Sequence, residues 1–358
     1  MASILSTELP VQDCIVLFDP AGSPEAWQEH DRLQSSIFSR HSYLKANQLL
    51  DGAQIAQLVS DGVTRRSLVF RITNQSAFVI GALTASAREF SLVANQIFEQ
   101  YSNVHYVRSE PLVRDPQIES DPRVVIVGKS DDLVRALPNS ISDFDLSLKR
   151  EQRKKIRSHE RRFKEDFPQG GISIQRGAEI SAHAFHTVIE LNRERMRYKG
   201  RSSGIDDLLE AQMRQVAIEN GLLILLNNGE EVVAGLVIIT ASDDAYGWTM
   251  SYDQKYGKYS PGIIGLHGAI KYLISTGARR FHFLWGDSPY KRQFGAVRDD
   301  LASYAILRPG VSRWVIFPLL CSFYKQCLKS EIIRCIKKSV WMVTLYRKIR
   351  MERLQKNN

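Results

Sequence analysis

Two short segments of the sequence combine residue types that can do chemistry. The first, residues 256–270, reads YGKYSPGIIGLHGAI, a basic glycine-containing loop that leads through Ser-Pro-Gly into an apolar helix. Ser and Pro favour a helix start, and the first N–H groups of a helix lack internal partners and can bind an anion. Lys255 and Lys258 would add full charges. The same residues also suit an ordinary capped helix, so both interpretations stay open at this point.

The second segment is Gly286-Asp287-Ser288-Pro289-Tyr290-Lys291, which directly follows a predicted strand over 279–285. Polar residues at the carboxyl end of a strand often mark a site in a mixed sheet. Asp287 could act as a base, a substrate ligand or a helix N-cap, and Tyr290 could be reactive or simply packed. His282 lies within the strand and suits a core position better than a catalytic one. No motif for a covalent enzyme intermediate is present.

The elements that must position these segments follow from hydrophobic periodicity and turn residues. Residues 181–308 predict the order α-α-β-β-β-α-β-α-β, including a hairpin at Asn227-Asn228-Gly229 and a helix over 261–275. The first half predicts a helix start at Ser23-Pro24-Glu25, a hairpin of 67–72 with 77–83, and strands over 104–108 and 123–128. A short helix near 131–137, a loop over 138–145 and a charged helix over 146–167 follow. Such a mixture is typical of an α/β fold, a mixed sheet flanked by helices.

Positive charge is concentrated in two places. Residues 311–358 hold 11 Lys+Arg and 2 Asp+Glu, and Lys149–Lys164 holds 9 and 2, whereas the chain as a whole carries +9. The tail interleaves basic and apolar residues, which suits either an interfacial helix on anionic lipid or a helix packed on the body. The four cysteines show no CxxC spacing, so neither a metal site nor a disulfide framework is expected. No signal peptide or membrane span is predicted, and the cytoplasm is the expected compartment.

Three stretches carry a resemblance to a known family: LKREQRKKIRSHERRF, YSPGIIGLHGAI and FHFLWGDSPYKRQFGA. Together they resemble the GNAT acyltransferase fold, and within it the branch related to the cellulose-biosynthesis protein CelD. That resemblance implies tandem GNAT-like domains plus a C-terminal helical tail. Residues 1–145 would form a degenerate first domain that binds no cofactor, 146–171 a basic connecting helix, 172–310 the catalytic domain, and 311–358 the basic amphipathic tail.

The resemblance also implies roles for particular residues. Acetyl-CoA or another acyl-CoA would be the co-substrate, with its pyrophosphate on the backbone of the loop before the helix. The residues implied for that contact are Tyr256, Gly257, Lys258, Ser260 and Gly262. Here Lys255-Tyr-Gly-Lys-Tyr-Ser-Pro-Gly stands in place of the usual Arg/Gln-x-x-Gly-x-Gly/Ala. Tyr290 becomes the candidate general acid near the CoA sulfur, and Lys291 and Arg292 are expected to be solvated or to contact the CoA phosphates.

The acceptor site would lie under the first helices of the second half. Its candidate residues are Glu190, Arg193, Tyr198 and Trp248. Ion pairs on a solvated face, and core packing for Trp248, are the alternative interpretations.

Three functions therefore compete. The first is acyl transfer from CoA to a sugar, an amino sugar or an envelope or exopolysaccharide precursor, by direct attack on the thioester. The second is peptidoglycan-type aminoacyl transfer from aminoacyl-tRNA. The third is a non-catalytic component of a polysaccharide synthase complex. The near absence of aromatic residues from Lys149–Lys164 argues against a nucleic-acid partner.

Overall fold

The strands of the protein form one continuous mixed sheet. The computed structural model describes residues 14–19, 23–34, 36–81, 85–286 and 288–338. Within these residues the strands are β1 (Ile15–Asp19), β2 (Ala53–Ser60), β3 (Val63–Thr73), β4 (Ser76–Ile80), β5 (Tyr106–Ser109), β6 (Leu112–Val113), β7 (Val124–Ala136), β8 (Gly170–Arg176), β9 (Gly221–Asn228), β10 (Glu231–Ala241), β11 (Asp244–Tyr252), β12 (Arg280–His282) and β13 (Val297–Leu307). The sheet order is β1-β2-β3-β4-β5-β13-β7-β12-β11-β10-β9-β8, with β6 paired to β13.

Helices cover both faces of this sheet. They are α1 (Pro24–Leu33), α2 (His41–Ala46), α3 (Ala87–Gln100), α4 (Pro116–Glu119), α5 (Ile141–Ser147), α6 (Arg150–Asp166), α7 (Ala182–Tyr198), α8 (Asp207–Asn220), α9 (Pro261–Ser275), α10 (Pro289–Gln293) and α11 (Phe317–Lys338). The mixed α/β architecture predicted from the sequence is confirmed.

The two halves repeat one pattern of strand pairing. In the first half β1–β2, β2–β3 and β3–β4 are antiparallel and β4–β5 is parallel. In the second half β8–β9, β9–β10 and β10–β11 are antiparallel and β11–β12 is parallel. In each half a helix, α3 or α9, crosses between the two parallel strands, as a parallel connection requires. The two halves of the protein therefore form an internal structural repeat.

The last strands of the two halves are exchanged. β13, which ends the second half, pairs with β5 of the first half, and β7, which ends the first half, pairs with β12 of the second. β7 and β13 also pair with each other over ten register positions, from Val297↔Val134 to Ile306↔Val124. The halves therefore share backbone hydrogen bonds across their junction. The domain limits at residues 145 and 310 stay a prediction.

Both faces of β9 and β10 are buried along most of their length, which explains their nearly unbroken apolar sequence. In β9, Leu223 and Leu225 face a cluster formed with α7 and α8, whereas Leu222 and Ile224 face α9. The former cluster also receives Ile37 from the first half, so the halves pack side chains as well as strands.

Most predicted elements are confirmed. The hairpin turns hold Asn74 (φ 53°) and Gly229 (φ 59°), and Ser23 caps α1 through a bond from Ala26 N. Two predictions are wrong: residues 131–136 continue β7 as a strand, and residues 141–145 of the expected loop belong to α5. The alternating contacts of β7 with β12 and β13 override the local helical propensity of residues 131–137. The helix α3 and strand β2 were not predicted.

Candidate active site

A gap opens between two parallel strands of the second half. β11 and β12 pair only from Asp244↔Arg280 to Tyr246↔His282, after which β11 continues to Tyr252 paired with β10 but no longer with β12. The β10–β11 register shifts at this point, so that Trp248 is an extra residue in β11, a β-bulge. Bulges locally disrupt the strand ladder and re-aim side chains, and they are frequent beside active sites. Trp248 and Thr249 consequently lie at the open part of β11.

Helix α9 begins at the mouth of this gap. Pro261 occupies its first turn as predicted, and Ser260 is its N-cap residue. The Ser260 backbone is left-handed (φ 53°), however, and its side chain makes no capping hydrogen bond. Gly262 lies against β11, where a Cβ would come within 3.3 Å of Tyr252 and 3.5 Å of the Met250 sulfur. No described residue accepts a hydrogen bond from Gly262 N–H, which leaves this donor open to an anion.

The loop before α9 is a 3₁₀ helix, Gln254–Tyr259. Its backbone bonds are internal: Tyr256 N–H donates to Asp253 O at 3.1 Å, and Ser260 N–H donates to Gly257 O at 3.0 Å. Gly257 is exposed, and a Cβ at this position would have no other atom within 4 Å. Among the residues predicted to bind the pyrophosphate, Tyr256 and Ser260 thus donate their backbone N–H groups to carbonyls of the loop itself, whereas Gly262 does not.

Carboxylates already accompany the basic side chains of this loop. Lys255 pairs with Glu231 and lies 3.5 Å from Asp253, and the Lys258 ammonium lies 3.7 Å from Asp166. The rings of Tyr256 and Tyr259 are buried in a cluster with Phe163 of α6. The loop is therefore held to α6 and the β9–β10 hairpin, and its local charge is nearly balanced.

The short helix α10 holds Tyr290 beside Phe283, in the chain that follows β12. Its half-buried ring packs 6.3 Å from that of Phe283. Burial raises the pKa of the Tyr290 hydroxyl, and the Arg195 guanidinium on α7 lowers it in part. The hydroxyl is therefore protonated at neutral pH and able to donate. Asp287 lies outside the described residues, so the structure says nothing about its predicted role.

Sequence reasoning missed two polar residues on α7: Asn192, which faces β11, and Arg195, whose charge acts on Tyr290. The Asn192 side chain is buried and donates through Nδ2 to Thr249 Oγ1 at 3.0 Å. Its Oδ1 and the Nε of Arg195 are buried without a hydrogen-bond partner among the described residues. Buried polar atoms are nearly always paired, so unpaired ones suggest a missing ligand or water. A detectable signal was the polar residue Asn192 on the apolar side of α7.

Lys291 corrects an expectation. It is not solvated: its side chain is buried and its ammonium donates to the carbonyl oxygens of Phe283 (2.8 Å), Leu284 (3.0 Å) and Trp285 (2.7 Å). A charged donor on three carbonyls holds the chain that leaves β12 in a fixed path. Lys291 is thus committed to shaping the wall of the gap.

The residues predicted for the acceptor are dispersed. Glu190 and Arg193 bind each other (2.5 Å), and Arg193 also binds Asp207 and Glu210, which joins α7 to α8. Tyr198 is 82% exposed at the end of α7. Trp248 is half-buried, with its ring 6.2 Å from Tyr43 of the first half. Only Trp248 lies at the gap itself, and the acceptor roles of all four stay predictions.

Two buried histidines of the second half are bound by carboxylates. His282 is fully buried, its Nδ1–H donates to the Asp132 carboxylate at 2.6 Å, and its ring stacks on Tyr246 at 4.2 Å. His267, on α9, lies between Glu160 (2.8 Å) and Asp145 (2.9 Å). Among the described residues, no group of three or more His, Cys, Asp or Glu side chains could hold a metal ion.

The corresponding helix start in the first half is occupied by its own carboxylate. Ser86 and Glu89 form a capping box on α3, in which Glu89 accepts from Ser86 N–H at 2.7 Å. Arg66 contacts the same carboxylate at 3.2 Å. An anion could bind at the start of α3 only by displacing Glu89. Among the described residues, no such side chain caps the start of α9.

Comparison with known proteins places this geometry in a family. Residues 150–292 match the family model of the acetyltransferase (GNAT) domain. This segment is a GNAT acetyltransferase domain. The gap between β11 and β12 and the start of α9 both lie within it. The protein therefore contains a GNAT domain, and this domain makes it an acyltransferase. No curated protein matches the chain.

Solved structures of similar fold cover most of the chain. FemX matches with a TM-score of 0.60 and 12% identity, over 79% of this chain and 96% of that one. L-PGS from Bacillus licheniformis matches with 0.52 and 16%, over 85% and 97%. A conserved protein of unknown function from Bacteroides thetaiotaomicron matches with 0.51 and 12%, over 82% and 100%. At these identities the likeness concerns the fold alone.

Proposed function

We propose that the GNAT domain transfers an acyl group from acyl-CoA to an amine or hydroxyl of a small-molecule or glycan-precursor acceptor. The observation that carries this proposal is the gap between β11 and β12, which has the start of α9 at its mouth and Tyr290 at its wall. The gap can admit an extended thioester arm, and Gly262 N–H offers a donor to its phosphate end. The first half, whose equivalent helix start holds Glu89, is assigned no cofactor.

Direct attack on the thioester accounts for the residues at the gap. The acceptor's nitrogen or oxygen forms a bond to the thioester carbon, and the carbon–sulfur bond breaks. The proton lost by the acceptor goes to a base, for which Asp287 is the candidate from sequence. Tyr290 gives its proton to the departing thiolate, a step that its protonated state supports. Asn192 Oδ1 accepts a hydrogen bond from the bound reactants.

The acceptor class rests on the sequence resemblance. Acetyl transfer to a sugar, an amino sugar or an envelope or exopolysaccharide precursor is the function of choice, because the three quoted stretches resemble the CelD-like branch. The acceptor candidates remain Glu190, Arg193, Tyr198 and Trp248, and the position of Trp248 in the open part of β11 supports its candidacy.

A second candidate is aminoacyl transfer from aminoacyl-tRNA. The loop lysines already pair with Glu231 and Asp166 and so offer little net charge to a pyrophosphate, which weakens the acyl-CoA candidate relative to this one. The basic helix α6 also offers a polyanion several exposed cations. These are Arg150, Lys154, Lys155, Arg157, Arg161 and Arg162.

Calorimetry separates the two candidates. We expect acetyl-CoA to bind, and Gly262→Glu to weaken that binding at least about tenfold, because the new carboxylate fills the anion site and crowds β11. Gly257→Ala, a substitution into open space within the same loop, tests whether a small change nearby has any effect and should cost less. Absence of binding to any acyl-CoA, combined with tRNA affinity that falls steeply with salt, would reverse the choice.

A further inference from the structure

Helix α11 presents two apolar faces, of which the body of the protein covers one. Ile316, just before the helix, is fully buried and Phe323 is 9% exposed, and both lie on the side that faces the sheet. Ile316 packs with Leu307 of β13 and Val125 of β7. One of the two sequence interpretations, a helix packed on the body, therefore holds for this face.

The other face is apolar, and its large side chains are exposed. Trp314 is 76% exposed, Phe317 50%, Tyr324 65% and Leu328 63%. Positions 317, 324 and 328, with the half-buried Cys321 between them, recur at i, i+4, i+7 and i+11, which places them on one stripe of the helix. Trp314 extends the stripe at its start, with its ring 5.4 Å from Phe317. We call these four exposed residues the outer stripe.

Positive charge borders the outer stripe. Lys325 and Lys329 are exposed, one position beyond Tyr324 and Leu328 respectively. Between Phe317 and Lys338 the sequence has five basic residues and one acidic residue, Glu331. An apolar stripe rich in Trp and Tyr and flanked by lysines matches the interface of an anionic bilayer, where aromatic rings lie at the headgroup level.

We propose that the outer stripe of α11 binds the surface of an anionic membrane. The helix lies flat, with Trp314, Phe317, Tyr324 and Leu328 in the headgroup–acyl boundary and the lysines against lipid phosphates. No helix among the described residues is long and apolar enough to cross a membrane, and a flat orientation needs none. The inference is independent of the acyl donor, because it concerns a surface outside the GNAT domain.

Vesicle flotation of the full-length chain tests the proposal. The protein should float with phosphatidylcholine vesicles that contain phosphatidylglycerol, and much less with phosphatidylcholine alone. Replacing Trp314, Phe317, Tyr324 and Leu328 together by Ser should abolish flotation. The double variant Lys325→Gln/Lys329→Gln should weaken it roughly 25-fold, about fivefold per lysine, and high salt should reduce the effect of the lysines.

Control variants distinguish binding of the outer stripe to a membrane from its binding to a second copy of the chain. Leu146→Ser and Leu208→Ser remove exposed leucines elsewhere (69% and 64%) and should not change flotation. An unchanged melting temperature of the stripe variant shows that it folds, since its four side chains lie outside the core. Flotation that survives in the folded stripe variant overturns the proposal. A dimer that the same variant converts to a monomer, with no vesicle binding by the wild type, assigns the stripe to a second copy instead.

Discussion

At the scale of single residues, the gap between β11 and β12 brings together groups that are far apart in the chain. Asn192, Arg195, Thr249 and Tyr290 come from two helices and a strand, and two of them carry unpaired buried atoms. Their common feature is polarity in a place where the surrounding side chains are apolar. That combination is expected where a substrate supplies the missing hydrogen bonds.

Removing the hydroxyl of Tyr290 tests its proposed role as an acid. We expect Tyr290→Phe to lower kcat about 100-fold, because general acid catalysis typically contributes that much or more, and to leave KM nearly unchanged. Steady-state kinetics of the acyl transfer measures both. Tyr272→Phe, near the far end of α9, serves as the control. Full activity in Tyr290→Phe would show that the ring is only packed.

The charge of His282 makes stability depend on pH. Burial lowers the pKa of His282, but the carboxylates of Asp132 and Asp244 raise it by more, so it lies above its usual 6.5. The resulting stabilisation is fully present below pH 6.5 and is lost as pH rises through the folded-state pKa. The wild type should lose melting temperature over that window relative to His282→Gln. Thermal unfolding monitored by circular dichroism checks this, and parallel curves for the two proteins would contradict it.

At the scale of elements, contacts at its first turn and at its middle hold α9 in place. Its first turn faces β11 through Gly262, and its middle is tied to α5 and α6 through His267. The preceding loop is bound to α6 through Tyr259 and Asp166. Helix α6, which the family resemblance predicts to be a connecting helix, therefore also supports the start of α9.

Disrupting the support of α9 should destabilise the protein. His267→Leu leaves Asp145 and Glu160 without their shared partner, and we expect a loss of about 1–3 kcal/mol in the free energy of unfolding. Urea denaturation provides the measurement. Glu160→Gln should cost less, since this side chain is 37% exposed, and Glu151→Gln, on the exposed face of α6, should cost least. Equal effects of all three substitutions would rule out the His267 contacts as the cause.

At the scale of the whole molecule, the exchange of β7 and β13 joins the repeated halves. β13 stands between β5 and β7, and β7 stands between β13 and β12. Neither half therefore completes its sheet with its own last strand alone. Separating the chain at the predicted boundary would expose long rows of unpaired backbone groups.

The halves should consequently fold together. A segment of residues 1–145, produced alone, should lack a cooperative thermal transition, whereas co-expression with residues 146–358 should restore a folded complex. Calorimetry of the intact chain should show a single transition. A stable, cooperatively unfolding 1–145 segment would contradict the dependence of that half on β13.

The local features of the site were predictable from the sequence because they depend on neighbouring residues. The order from α7 to β13, the hairpin at Gly229 and the start of α9 at Pro261 all follow from periodicity and turn chemistry. The short helix expected at 131–137 failed because long-range strand pairing outweighed local propensity. The prediction that Lys291 is solvated was wrong for a related reason, because the end of β12 positions the three carbonyl groups that bind its ammonium.

The sequence by itself determined that a basic loop and an apolar helix follow a buried strand, and that a polar segment with Tyr290 follows the next one. Only the tertiary structure decided what surrounds them. Asp166 and Glu231 reach the loop lysines from separate elements, Asn192 reaches Thr249 from α7, and β13 completes the sheet of the other half. These contacts join residues far apart in the chain, and no local pattern encodes which distant group will occupy a neighbouring position.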